Sequence, residues 1–193
     1  MRPLIVLASG SPRRKEILAS LGLRFETRAA DVDETLLPGE SAFDGAERLA
    51  RAKAAAAAAG EPEALVVAAD TLVILEGEAL GKPRDRGDAR RMLAALSGRA
   101  HQVVTGVACA LGDRIVSGRE TTSVVFAPMS PAEIEEYAET GEPDDKAGAY
   151  ALQGIGGLFV ERVDGSPSNV VGLPVRLLYR LAKDLGIDLA LRP

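Results

Sequence analysis

Cysteine and histidine each occur once in this 193-residue chain, as Cys109 and His101, and that scarcity removes several kinds of protein. One cysteine has no disulfide partner within the chain, and one cysteine with one histidine cannot build a conventional zinc cluster. Cys109 lies inside the apolar run "VVTGVACAL", where it reads as a small buried hydrophobe. Any metal must therefore rely on oxygen ligands, which favours magnesium or manganese. Long apolar runs are missing too, since none approaches the roughly 20 residues of a membrane span. The opening Leu-Ile-Val-Leu-Ala is too short for a signal h-region, and its basic residues mostly follow it. A cytoplasmic location is the default expectation. Positive charge is in deficit, with 23 Lys plus Arg against 28 Asp plus Glu and a formal net charge of -5. General attraction to nucleic acid or to an anionic membrane is not expected, so basic groups matter here where they cluster. Neither G-x-x-x-x-G-K-[ST] nor G-x-G-x-x-G occurs, and there is no internal repeat.

What is present is enough apolar residue, 47% of the chain, to bury one good core, either as a single domain over 1–193 or as two closely joined lobes. Apolar strands alternate with helical patterns. The spacing predicts strands at 4–8, 23–29, 64–75, 102–111, 114–126 and 158–163, and helices at 12–21, 42–59, 85–96, 131–139 and 174–185. That is an α/β chain. Ser130-Pro131-Ala132-Glu133 reads as a capping box with proline in the first turn. "AKAAAAAAG" reads as alanine-rich helix that packs closely and stops at a glycine.

The stretch "LIVLASGSPRRKEIL" runs from a short buried strand into a helix entrance carrying Arg13, Arg14 and Lys15. Ser11 suits the N-cap, Pro12 the first helical position, and Gly22 the helix end. Cations at that end face the positive pole of the helix dipole, beside backbone N–H groups without partners. Two readings stand level: a solvated basic turn, or a site for a phosphate group gripped by guanidinium forks and free amides. On the second, Arg13 and Arg14 serve an anion rather than the fold.

In "ALVVAADTLVIL" a single acid, Asp70, interrupts an apolar run from Ala64 to Leu75. A carboxylate there is partly buried and needs a metal, a cation or several donors beside it. The alternative is an Asp that caps a strand end. Lys53 shares a helical stripe with Ala46, Leu49 and Ala50, so its ammonium either snorkels or points into a site. Lys82 in "LGKPRD" reads alone as a basic turn, and Glu34 at the end of "AADVDE" as a solvated loop acid. "DKAGAYALQGIGGLFV" sets Gly148, Gly154, Gly156 and Gly157 around Gln153, either as backbone close to a ligand or as a tight turn.

Six blocks occur in order: "ASGSPRRKEIL", "DVDE", "AADTLVILEGEALGKPRD", "LSGRAHQVVTGVAC", "DKAGAYALQGIGGLFVERVDGS" and "NVVGLP". Together, over nearly the whole chain, they resemble the Maf nucleotide pyrophosphatases. The resemblance implies an elongated α/β fold, a mixed sheet with flanking helices and two lobes around a cleft, related to inosine triphosphate pyrophosphatases and usually a homodimer. It also implies hydrolysis of a nucleoside triphosphate between the α and β phosphates with a divalent cation, Mg2+ or Mn2+. On that resemblance Arg13, Arg14, Lys53 and Lys82 hold the triphosphate, Asp70 matches the general base, and Glu34 with Asp70 places the metal. Ser166-Pro167 departs from the family pattern, which has Ser-Tyr before "VVGLP". Two family branches differ at three positions. The branch acting on dTTP and UTP carries Arg, Thr and Gln where this chain has Arg13, Thr71 and Gln153, whereas the 7-methyl-GTP branch carries Trp, Gln and Glu. This chain agrees with the first at all three, and Arg13 would repel the positive charge of 7-methylguanine. The resemblance therefore implies dTTP and UTP as substrates in a house-cleaning role. The alternatives are a non-catalytic nucleotide-binding regulator of septum formation and a 7-methyl-GTP pyrophosphatase.

Overall fold

A computed structural model describes residues 3–190, so the two ends of the expected 1–193 domain lie outside the described residues. Among the described residues seven strands and six α-helices follow in this order: β1 Ile5–Leu7, α1 Pro12–Ser20, β2 Phe25–Thr27, α2 Ala42–Ala58, β3 Leu65–Leu75, β4 Glu78–Leu80, α3 Arg86–Leu96, β5 Ala100–Leu111, β6 Arg114–Phe126, α4 Pro131–Glu139, β7 Val160–Asp164, α5 Pro167–Val171 and α6 Val175–Asp184. The strands form one mixed sheet in the order β2-β1-β3-β5-β6-β7, with β4 also on β3. β1 pairs in parallel with β2 and β3, and the remaining pairs are antiparallel. The departures from the sequence reading are local, and the expected strand 23–29 is confined to Phe25–Thr27. The expected strand 158–163 begins two residues later, because Ile155–Phe159 coils into a 3-10 turn. β4 is a short hairpin return through Glu76 and Gly77, both at positive φ. α5 is a five-residue helix that no apolar stripe announces. Ser130 makes both bonds of its capping box, whereas Ser11 sits at the N-cap of α1 without a capping bond from its side chain. Among the described residues no helix is long and apolar enough to cross a membrane.

Strand alternation sorts the core into layers. Odd-numbered residues of β3 and β5 face one side. At one end Leu65, Val67, Val107 and Cys109 meet Ile17 and Leu18 of α1 and Leu177, Leu178 and Leu181 of α6. At the other end Val73, Leu75 and Val103 meet Met92, Leu93 and Leu96 of α3, with Phe126 and Tyr137. Each of these large side chains contributes about 1.5–3 kcal/mol by leaving water. Between the two clusters the same face carries Thr71 opposite Thr105. The other face is covered lengthwise by α2, whose fully buried Ala46, Ala50 and Ala54 lie on Val66, Ala68, Val104 and Ala108. Its midpoint is Asp70 opposite Gly106. A Cβ on Gly106 would stand 2.2 Å from the Ala46 carbonyl oxygen, so this glycine lets the helix rest on the sheet at the level of Asp70. Cys109 is fully buried and burial pushes its thiol up to about 12, in keeping with a packed hydrophobe.

Candidate active site

β1 stops at Leu7, opposite Val67, and β4 joins β3 only from Val73. The edge of β3 is therefore uncovered from Ala68 to Leu72. The Ala8 N–H bonds the Val67 carbonyl at 2.8 Å, which turns the backbone groups of odd-numbered residues toward this edge, including those of Ala69 and Thr71. A cleft of about 560 Å³ opens there. The loop Ser9–Ser11 and the first turn of α1 line it from one part of the chain, and Gly81–Lys82 with Asp145–Ala147 and Tyr150 from others.

At its floor Lys53 is buried, and its Nζ lies 2.6 Å from Asp70 Oδ1 and 2.6 Å from Glu34 Oε1. The ammonium does not snorkel; α2 aims it into the cleft because Lys53 continues the stripe that packs on the sheet. Asp70 caps no strand end but sits within β3. Glu34 reaches the same ammonium from the loop before α2, although its side chain is 60% exposed. Its hydrogen bond with Lys53 holds its carboxyl below the usual range, burial opposes this, and Lys53, Lys82 and Arg14 add to the lowering.

Arg14 is held on three sides. Its Nε donates to the Gly172 carbonyl at 2.8 Å, Nη1 to Ser9 Oγ at 3.2 Å and Nη2 to Thr71 Oγ1 at 3.0 Å. Burial lowers its pKa against the pull of Asp70, and neighbouring Arg13 adds to the lowering. Arg14 therefore has partners in the fold as well as a place in the cleft: it pins α1 to β3 and to the end of α5. One N–H on each terminal nitrogen is left over for a ligand. Ser9 Oγ also accepts the Ser11 N–H at 3.2 Å, so both of its lone pairs are taken and its own proton is free to donate.

Arg13 and Lys82 line the cleft, and among the described residues neither is in an ion pair. The sequence reading did not single out Lys146, which also lines the cleft and pairs with Asp145. Asp145 is held below the usual carboxylate range: burial works to raise it, while Lys146 and Arg13 outweigh that. "DDKAG" contained this signal, but an acid-rich turn conceals one cation. Ser9 and Tyr150 were missed because a buried serine and a buried tyrosine carry no periodic mark. Thus Arg13, Arg14, Glu34, Lys53, Asp70, Thr71 and Lys82 all line one cleft. Gln153 does not: it is exposed, outside the lining, on a loop folded around Glu142, whose carboxylate accepts the Ile155 and Gly156 N–H groups at 2.9 Å each and the Tyr137 hydroxyl at 2.8 Å.

A cationic cleft at a gap in a mixed sheet, with a carboxylate at its floor and unpaired cations at its rim, defines a protein that handles a small polyanion such as a nucleoside polyphosphate. The chain belongs to the Maf-like protein family, whose model matches residues 4–185. It is 55% identical to a dTTP/UTP pyrophosphatase of Anaeromyxobacter dehalogenans, covering 98% of this chain and 97% of that one. It is 50% identical to a dTTP/UTP pyrophosphatase of Chromobacterium violaceum, covering 96% of each. A HAM1 protein from Coxiella burnetii is similar in structure, with a TM-score of 0.50 at 16% identity over 95% of this chain and 98% of that one. The fold is accordingly the α/β fold expected from the sequence, a mixed sheet with flanking helices, and it is shared with that HAM1 protein.

Proposed function

We propose that this protein hydrolyses dTTP and UTP to the nucleoside monophosphate and pyrophosphate. The observation that carries the reading is Lys53, held at 2.6 Å by both Asp70 and Glu34 beneath a rim of unpaired cations. The names of the relatives at 50–55% identity over nearly the full chain supply the substrates.

Attack on the α phosphorus brings a water oxygen toward a centre shielded by anionic oxygens. Asp70 Oδ1 is fixed by Lys53, which leaves Oδ2 to take the proton as the water oxygen bonds to phosphorus. The bond from the α phosphorus to the bridging oxygen then breaks, and charge grows on the departing pyrophosphate. Arg13, Lys82, the spare Arg14 N–H groups, the Ser9 hydroxyl and the uncapped first-turn amides of α1 are positioned to meet that charge. Among the described residues no group of three acidic, histidine or cysteine side chains gathers to hold a metal. Two carboxylates suit an ion that takes its other ligands from water and phosphate, as magnesium or manganese does. Glu34 and Asp70 would hold it, and bound there it would neutralise phosphate charge. A cytoplasmic location belongs to the same proposal, since that is where nucleoside triphosphates are used. Purified protein given dTTP, UTP, CTP and 7-methyl-GTP with Mg2+ should release pyrophosphate and monophosphate from the first two and little from 7-methyl-GTP. Nucleotide binding without pyrophosphate release would sink the reading in favour of a non-catalytic binder.

A further inference from the structure

A chain of hydroxyl groups lies behind the cleft wall, and the direction of each of its hydrogen bonds follows from its two ends. Arg14 Nη2 stands 3.0 Å from Thr71 Oγ1, Thr71 Oγ1 stands 2.9 Å from Thr105 Oγ1, and Thr105 Oγ1 stands 2.9 Å from the Asn169 carbonyl oxygen. A guanidinium only donates and a carbonyl only accepts. The single Thr105 proton therefore goes to Asn169, and the bond between the threonines uses the Thr71 proton. Thr71 accepts from Arg14 with one lone pair and has one left. The reverse order would turn the Thr105 proton toward Thr71 and leave the Thr105 hydroxyl oxygen facing the Asn169 carbonyl oxygen at 2.9 Å with no proton between them in a fully buried place, although that carbonyl also accepts the Gly172 N–H at 3.0 Å. Gly172, at φ 117, closes the arrangement: a Cβ there would lie 3.3 Å from Thr71 Oγ1 and 3.5 Å from Arg14 Nε. Half-exposed Thr71 thus offers the cleft an acceptor and no donor. Ser9, with both lone pairs occupied, offers a donor. A bare acceptor oxygen repels phosphate and pairs with a ligand group that carries a proton.

We propose that Thr105 is a positioning residue that locks the Thr71 hydroxyl as an acceptor, so that the cleft selects a pyrimidine with a ring N–H over one with a bare ring nitrogen. Uracil and thymine carry that proton at N3, and cytosine has a lone pair there. The inference deepens the proposed function and rests on it.

The test compares kcat/KM for UTP and CTP on one preparation, because the ratio does not depend on how much protein is folded. In Thr105→Val the Thr71 proton is released to face the cleft, and the preference for UTP over CTP should fall roughly three- to ten-fold, the worth of one neutral hydrogen bond. Thr105→Ser keeps the hydroxyl and should keep the parent ratio. Thr71→Val should lower the ratio on its own, and the double variant should fall no further than Thr71→Val, since Thr105 acts through Thr71. An unchanged ratio in Thr105→Val, or Thr105→Ser falling as far as Thr105→Val, would overturn the inference. If Thr105→Val does not fold, an unchanged ratio in Thr71→Val overturns it instead. A parent protein that releases no pyrophosphate from UTP or dTTP defeats the proposed function, which is a separate outcome.

Discussion

Asp70 and Lys53 form a pair in which each residue is costly without the other. Both are less than a tenth exposed, and a lone buried charge is destabilising where a paired one is tolerated. Asp70→Asn keeps an oxygen for the Lys53 ammonium and loses the ability to take a proton from water. Turnover should fall about 10²–10⁴-fold while nucleotide binding, measured by calorimetry, stays near that of the parent; near-parental turnover would remove Asp70 from the chemistry. Arg14 differs in kind from Arg13. Its three bonds join α1, β3 and the end of α5, so Arg14→Ala should destabilise the fold by about 1.5–3 kcal/mol, the range for hydrogen bonds to a charged group. Arg13→Ala should leave stability within about 0.5 kcal/mol and weaken turnover. Urea unfolding of the two variants side by side decides it, and equal stabilities would make Arg14 a rim cation like Arg13.

At the scale of elements, the seat of α2 on β5 sets the distance between Lys53 and Asp70. Gly106 is what permits that seat, since any Cβ there meets backbone of α2 at 2.2 Å. Gly106→Ala must push the helix away, at about 1–3 kcal/mol for an overpacked core, and should lower kcat by displacing the ammonium from both carboxylates. Gly118→Ala is the comparison: its Cβ would meet the tip of Leu177 at 3.2 Å, a flexible side chain that can turn aside. Thermal melting and kcat should both drop for the first variant and change little for the second. If kcat of folded Gly106→Ala equals that of the parent, the position of α2 does not limit the chemistry.

For the whole molecule, the one histidine adds its own acid sensitivity to that of the carboxylates held low by their partners. His101 is 3% exposed, its Nε2 lies 2.9 Å from the Tyr150 hydroxyl, and it is edge-on to Phe126. Burial holds its pKa down to about 4 from 6.5. Between those two values the unfolded chain binds a proton that the folded one refuses, so stability is intact above pH 6.5 and declines as the pH falls toward 4, by up to about 3 kcal/mol. His101→Gln keeps a hydrogen-bonding group for Tyr150 and cannot titrate. Its unfolding free energy should lose less than the parent's between pH 7 and pH 4.5, and equal losses would assign the acid sensitivity to carboxylates instead.

Much of this protein is decided along the chain. Periodicity placed five long helices and the long central strands within a residue or two, because their apolar faces repeat at the spacing that burial demands. An acid in an apolar run and a lysine on an apolar stripe marked Asp70 and Lys53, since neither pattern is stable without a partner. Which partner was not legible. That Lys53 lies between Asp70 and Glu34 depends on α2 crossing the sheet at Gly106, a contact between residues 60 positions apart in sequence. The short elements β4 and α5 escaped because a few residues carry no measurable period; they form where longer elements already hold their ends. The polarity of Thr71 was also beyond any local reading. A hydroxyl donates or accepts according to its neighbours, and here those neighbours, Arg14, Thr105 and Asn169, come from three separate segments that meet only in the folded chain.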